Sequence, residues 1–186
     1  ALKLANSFLE LGIRKGDVVA IQLPNLPEFI TVYFAATMMG AVLLTIHMPY
    51  RGGEIEPLLR HGNARAIVCG GAAESYDAPA TMLGLKKKIE TLENVIIATG
   101  NVPAETLSLQ SLIDKGTMAP IEEAPVASDP AILCFTSGTS NAPKAVVHNH
   151  QTLLANNRIT APIYNMTSDD IVLGGPPFTH AFGICV

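Results

Sequence analysis

Apolar positions along the first hundred residues switch repeatedly between two spacings. Leu2, Leu4, Ala5, Phe8, Leu9 and Leu11 recur at helical intervals and stop at Gly12, which predicts an amphipathic helix. Val18 to Leu23 then reads as a strand. From Phe29 to Tyr50 no residue is formally charged. Gly40 divides this stretch into a helix-like half, with Pro27 and Glu28 suited to its first turn, and a buried strand over Ala41–Ile46. Glu54 to His61 reads as helix and Ala64 to Val68 as strand. Between about Ala72 and Pro130 the pattern weakens. It gives a charged helix over Met82–Leu92, a strand at Val95–Ile97, a short helix over Leu107–Lys115 and an acidic, Pro-rich connector from Ala119 to Pro130. The βαβ rhythm predicts an α/β fold, a mostly parallel sheet flanked by helices, with ligands at the carboxyl ends of its strands. No internal repeat interrupts it, and the 13 prolines are too dispersed for a low-complexity tract.

Charge narrows the partners. A net charge of −4 argues against nucleic acid. The one basic run, Lys86-Lys87-Lys88, is read as a solvated helix face. The uncharged stretch Phe29–Tyr50 is long enough on paper to cross a bilayer, but Thr31, Thr37, Thr45 and His47 lie within it and Gly40 breaks it. No transmembrane segment is expected. Cys69, Cys134 and Cys185 are odd in number, sit in apolar runs and lack metal-ligand spacing. With no secretory signal at the start, they read as small buried residues in a reducing compartment, the cytoplasm.

Candidate chemistry concentrates in Phe135-Thr136-Ser137-Gly138-Thr139-Ser140-Asn141-Ala142-Pro143-Lys144. Hydroxyls and backbone N–H groups can donate to phosphoryl oxygens, Gly138 admits close backbone approach, and Lys144 brings a compact cation. A nucleotide is the natural ligand of such a cradle. The same residue types also make ordinary surface turns, and composition alone does not separate the two. Ala131–Phe135 feeds the loop and Ala145–Val147 leaves it, so it hangs in a strand, turn, strand unit. It is not a Walker P-loop: Pro143 stands five residues after Gly138, and Lys144 precedes a strand instead of opening a helix.

Thr136 to Val146 resembles the signature Thr-Ser-Gly-Thr-Thr-Gly-x-Pro-Lys-Gly-Val of the adenylate-forming superfamily: acyl-CoA synthetases, nonribosomal-peptide adenylation domains and luciferases. Pro176-Pro177-Phe178-Thr179-His180-Ala181-Phe182-Gly183 is similar to that family's Pro-x-x-His-x-x-Gly segment. Gly12-x-x-x-Gly16-Asp17-Val18 and Pro24-Asn25-x-x-Glu28 also look like it, so the resemblance covers nearly all 186 residues. Departures are Ser140, Asn141 and Ala145 for Thr, Gly and Gly. Ser keeps the hydroxyl and Asn tolerates a left-handed backbone; Ala145 would cost about 1 kcal/mol if positive φ were required.

The resemblance implies the amino-terminal part of a large domain, residues 1–186 being a partial AMP-binding domain with the remainder and the carboxy-terminal domain absent. It implies an acid–thiol ligase that activates a carboxylic acid with ATP as an acyl-adenylate and passes the acyl group to coenzyme A, the fragment alone being inactive. Thr136, Ser137, Gly138, Thr139, Ser140 and Lys144 would bind the β- and γ-phosphates, and Thr139 would help place Mg2+. His180 would border the α-phosphate and the acyl carboxylate, and with Lys144 is the expected catalytic residue. His148 and His150 read as scaffold or capping residues. Fatty, aryl and alicyclic acids stay open as substrates, and a homodimer stays open as the assembly. Three alternatives remain: an adenylation domain charging a carrier protein, a non-catalytic nucleotide-binding fragment, and an amidase-like hydrolase pairing Lys144 with Ser137 or Ser140.

Overall fold

The computed structural model describes residues 1–136 and 144–184. Helix α1 (Leu2–Glu10) leads into β1 (Val18–Gln22), α2 (Pro27–Met39), β2 (Val42–Thr45), α3 (Gly52–His61), β3 (Ala64–Cys69), α4 (Ala78–Lys86) and β4 (Asn94–Ile97). There follow β5 (Leu107–Ser108), α5 (Leu109–Lys115), β6 (Pro130–Thr136), β7 (Lys144–Asn149), α6 (His150–Ile163) and α7 (Ala181–Ile184). The strands form one sheet in the order β5-β4-β3-β1-β2-β6-β7. All pairings are parallel except β6 with β7, so the predicted α/β architecture is what the chain adopts.

Successive strand residues point to opposite faces, and both faces are covered. Val19, Ile21, Leu43, Ala66, Val68, Ile96 and Ile132 pack with Leu4, Phe8, Phe29 and Leu109 of α1, α2 and α5. Val18, Ala20, Val42, Leu44, Ile67, Val95 and Ile97 pack with Ile55, Leu59, Met82 and Leu85 of α3 and α4. The uncharged stretch resolves as expected: α2 carries Pro27 in its first turn, Gly40 ends it at φ 71°, and β2 follows. Among the described residues no helix is long and apolar enough to cross a membrane.

Two boundaries differ from the sequence reading. The helix expected over Met82–Leu92 is α4, which starts four residues earlier because the Asp77 carboxylate accepts from the Ala80 N–H and Pro79 presets the first turn. It ends with Lys86, so the lysine run sits at the helix terminus where cations suit the dipole. The helix expected from Leu107 loses its first two residues to edge strand β5, since the Ser108 hydroxyl caps α5 by accepting from the Ser111 N–H.

The acidic connector does not float. Lys15 pairs with Asp129 at 3.0 Å and reaches Glu123 at 3.9 Å, and the Asn6 amide donates to the Thr117 and Ala119 carbonyls. Arg65 in β3 ties together the segments just after α1 and just before β1 and β4 by donating to the Gly12 carbonyl, Asp17 and Glu93.

Candidate active site at the carboxyl edge of the sheet

Thr136 ends β6 and Lys144 opens β7, and the two are register partners across the antiparallel pair. They form the mouth of a hairpin at the carboxyl edge of the parallel strands, both exposed. Ser137, Gly138, Thr139 and Ser140, with the rest of the loop to Pro143, lie outside the described residues, as does Cys185. Ala145 is in β7 opposite Phe135, in extended conformation, so the backbone cost considered for a left-handed residue does not arise there.

His180 is presented by a compact turn. The Pro177 carbonyl accepts from the His180 N–H at 3.0 Å, and the His180 carbonyl accepts from Gly183 and Ile184. A Cβ on Gly183 would stand 2.1 Å from the Pro177 carbonyl oxygen and 2.6 Å from its carbon. The Pro-x-x-His-x-x-Gly spacing therefore has a steric reason, and only glycine closes the turn. The Phe182 N–H donates to Nδ1 of His180 at 3.1 Å, which leaves the proton of the neutral ring on Nε2. The exposed imidazole thus offers a hydrogen-bond donor at its outer edge.

His47, immediately beyond β2, backs this ring. The two imidazoles stack with centroids 5.8 Å apart, and Nδ1 of His47 lies 3.3 Å from the hydroxyl of buried Thr179. Burial, then the nearby His180, holds His47 below the usual histidine range. The loop after β2 is itself pinned. The buried Gln22 amide donates to the His47 and Tyr50 carbonyls at 3.0 Å, and Arg51 donates to the Met48, Pro49 and Tyr50 carbonyls while lying 4.2 Å over the Tyr76 ring. On the other side, Asn25 donates to the Pro176 carbonyl at 2.9 Å and accepts from the Phe178 N–H at 2.8 Å. His180 is thus joined to β2 through His47, and Lys144 to β6 through Thr136. β2 and β6 are neighbours, with Thr45 opposite Cys134.

His47, Asn25, Gln22 and Thr179 were not singled out for roles by sequence reading. The available signal was positional: each polar residue falls at or just past the end of an apolar strand, or inside the Pro-x-x-His segment. His148 lies within β7 opposite Ile132, and His150 is the first residue of α6; the cap is instead Asn149, whose side-chain Oδ1 accepts from the Thr152 N–H. The described cysteines are free and buried. Burial, with Asp77 nearby, pushes the Cys69 thiol up to about 12, and burial raises that of Cys134, which lies 3.6 Å from the Thr45 hydroxyl.

Comparison with known proteins decides the family. The family model described as AMP-binding enzyme matches residues 1–186. This chain belongs to that family. An acyl-CoA ligase, sidI, of Aspergillus fumigatus is 31% identical over 194 residues, covering 98% of this chain and 33% of the relative. The medium-chain fatty-acid–CoA ligase of Escherichia coli is 29% identical over 181 residues, covering 97% and 32%. The chain thus spans about a third of the length of these two relatives. Among solved structures, ATP-bound MatB from Rhodopseudomonas palustris superimposes with a TM-score of 0.82 at 23% identity, covering 98% of this chain and 34% of MatB. At that identity the likeness speaks for the fold, which is that of the amino-terminal region of adenylate-forming enzymes.

Proposed function

We propose that the protein containing this chain is an ATP-dependent carboxylate–CoA ligase. What supports the reading is that the Thr136/Lys144 hairpin mouth ends β6 while the His180 turn stacks on His47, just past the end of neighbouring β2, in a chain matched by its family along its whole length. The acid's carboxylate oxygen attacks the α-phosphorus of ATP and pyrophosphate departs with the bonding electrons. The CoA sulfur, as thiolate, then attacks the acyl carbonyl carbon and AMP leaves. No covalent enzyme intermediate forms, so the protein's task is positioning and charge neutralisation.

Thr136, Ser137, Gly138, Thr139, Ser140 and Lys144 hold the β- and γ-phosphates in this reading, with Thr139 assisting Mg2+. A hydroxyl and an ammonium at the hairpin mouth fit phosphate oxygens, and Mg2+ bound with phosphates needs few protein ligands. His180 donates through Nε2 toward the charge developing between acid and α-phosphate. A cytoplasmic location and a homodimeric assembly belong to the same proposal and are read by fractionation and sedimentation.

The test is carboxylate-dependent ATP–pyrophosphate exchange by the full-length protein across fatty, aryl and alicyclic acids, followed by thioester formation with CoA. Exchange with at least one acid and a CoA thioester product is expected. Transfer only to a carrier-protein thiol would move the enzyme among adenylation domains, and ester or amide hydrolysis without ATP would reject the ligase reading. Residues 1–186 alone should show no exchange, because they span only about a third of these relatives.

A further inference from the structure

We infer that Asn25 is the positioning residue for His180, an inference that rests on the ligase reading and deepens it. Its side chain makes two hydrogen bonds across the chain, to residues 151 and 153 positions away. The amide's donor and acceptor meet a carbonyl and an N–H two residues apart, at Pro176 and Phe178. Between them lies Pro177, whose carbonyl holds the His180 N–H. Asn25 therefore clamps the backbone on both sides of the group that anchors the histidine.

The surroundings make the clamp stiff. Asn25 sits in the turn between β1 and α2, both core elements, and four residues later buried Phe29 packs its ring 5.5 Å from that of Phe178. Thr179, the one residue between Phe178 and His180, is buried and held by His47. The register of residues 176–180 over the carboxyl edge is thus set from β1 through Asn25 and from β2 through His47. The two nearest replacements do not serve both bonds: ionised aspartate has no proton for the Pro176 carbonyl, and glutamine carries its amide one methylene further.

The test is a double-mutant cycle in the full-length enzyme, reading acyl-adenylate formation for Asn25→Ala and Asn25→Asp, alone and with His180→Ala. Asn25→Ala should lower kcat about 10- to 100-fold. The KM for ATP should stay within about twofold, since the phosphate donors lie on the hairpin. Asn25→Asp, which keeps the bond from Phe178, should fall between wild type and Asn25→Ala. In the His180→Ala background the further loss on changing Asn25 should shrink below about twofold, because the two residues act as one unit. Amide exchange at Phe178 should quicken in Asn25→Ala with the melting temperature nearly unchanged. Losses that multiply in both backgrounds, or a wild-type kcat for Asn25→Ala, would overturn the inference while the ligase reading stands. If Asn25→Ala does not fold, the cycle with Asn25→Asp decides on the same criterion. If the wild-type protein forms no acyl-adenylate, both readings fall.

Discussion

Replacing Gly183 by alanine tests whether the turn that carries His180 is sterically obligatory. The added Cβ would stand 2.1 Å from the Pro177 oxygen, and both partners are backbone, so no side chain can swing aside. Ordinary contact requires them to part by roughly 1 Å. The same oxygen accepts from the His180 N–H at 3.0 Å, and a shift of that size carries the bond beyond useful length. Losing it costs about 0.5–1.5 kcal/mol and the overpacking about 1–3 kcal/mol. The strain should open the segment locally, because residues 171–175 leading into the turn are exposed and Phe178, Ala181 and Ile184 are only partly buried at the margin of the core. Hydrogen exchange at the His180 amide should therefore quicken by one to two decades at an unchanged global melting temperature, and adenylation by the full-length enzyme should fall about tenfold or more. Native protection of that amide in Gly183→Ala, with adenylation intact, would refute the steric account.

Lys144→Ala should cost about 1.5–3 kcal/mol of ATP affinity or rate with the KM for the acid little changed, and Lys144→Arg should retain part of the activity. Complete inactivity of both, and of Ser137→Ala, would instead mark a Ser–Lys nucleophile pair. His47 and His150 are both held below their usual range, chiefly by burial. As pH falls below the ordinary value of 6.5 the unfolded chain takes up protons first, so stability should decline there and level off beneath the depressed folded values. Urea midpoints for wild type, His47→Gln and His150→Gln should show each substitution flattening part of the slope. Cys69 and Cys134 should resist maleimide at neutral pH until the protein is denatured; prompt native labelling of either would contradict their burial.

The core elements were legible because parallel strands covered on both faces leave continuous apolar runs, as at Val18–Gln22, and because Gly12 and Gly40 sit where helices end. The boundaries that slipped, at α4 and β5, depended on single capping side chains, Asp77 and Ser108, which outweigh a diffuse periodicity. The hairpin mouth and His180 were visible as motifs. Their supports were legible only by position, at the ends of apolar strands: the partners of Asn25 and His47 lie more than a hundred residues away, so the bonds themselves could not be read locally.

The reversal of β7 has a consequence for how phosphate charge can be met. In a strand–loop–helix cradle the helix N-terminus faces the phosphates and lends its dipole. Here Thr136 and Lys144 pair at the loop end of β6, whereas Asn149, just before α6, pairs with Pro130 at the other end. Five residue steps of β7 separate the two, about 17 Å. The first amides of α6 are also already used: His150 donates to the Asp129 carbonyl, Gln151 to that of Ala127 and Thr152 to the Asn149 side chain. No helix dipole from α6 reaches the hairpin mouth. In the proposed ligase reading, neutralisation would then draw on the Thr136 hydroxyl and the Lys144 ammonium, which is why a single lysine at the start of β7 should matter.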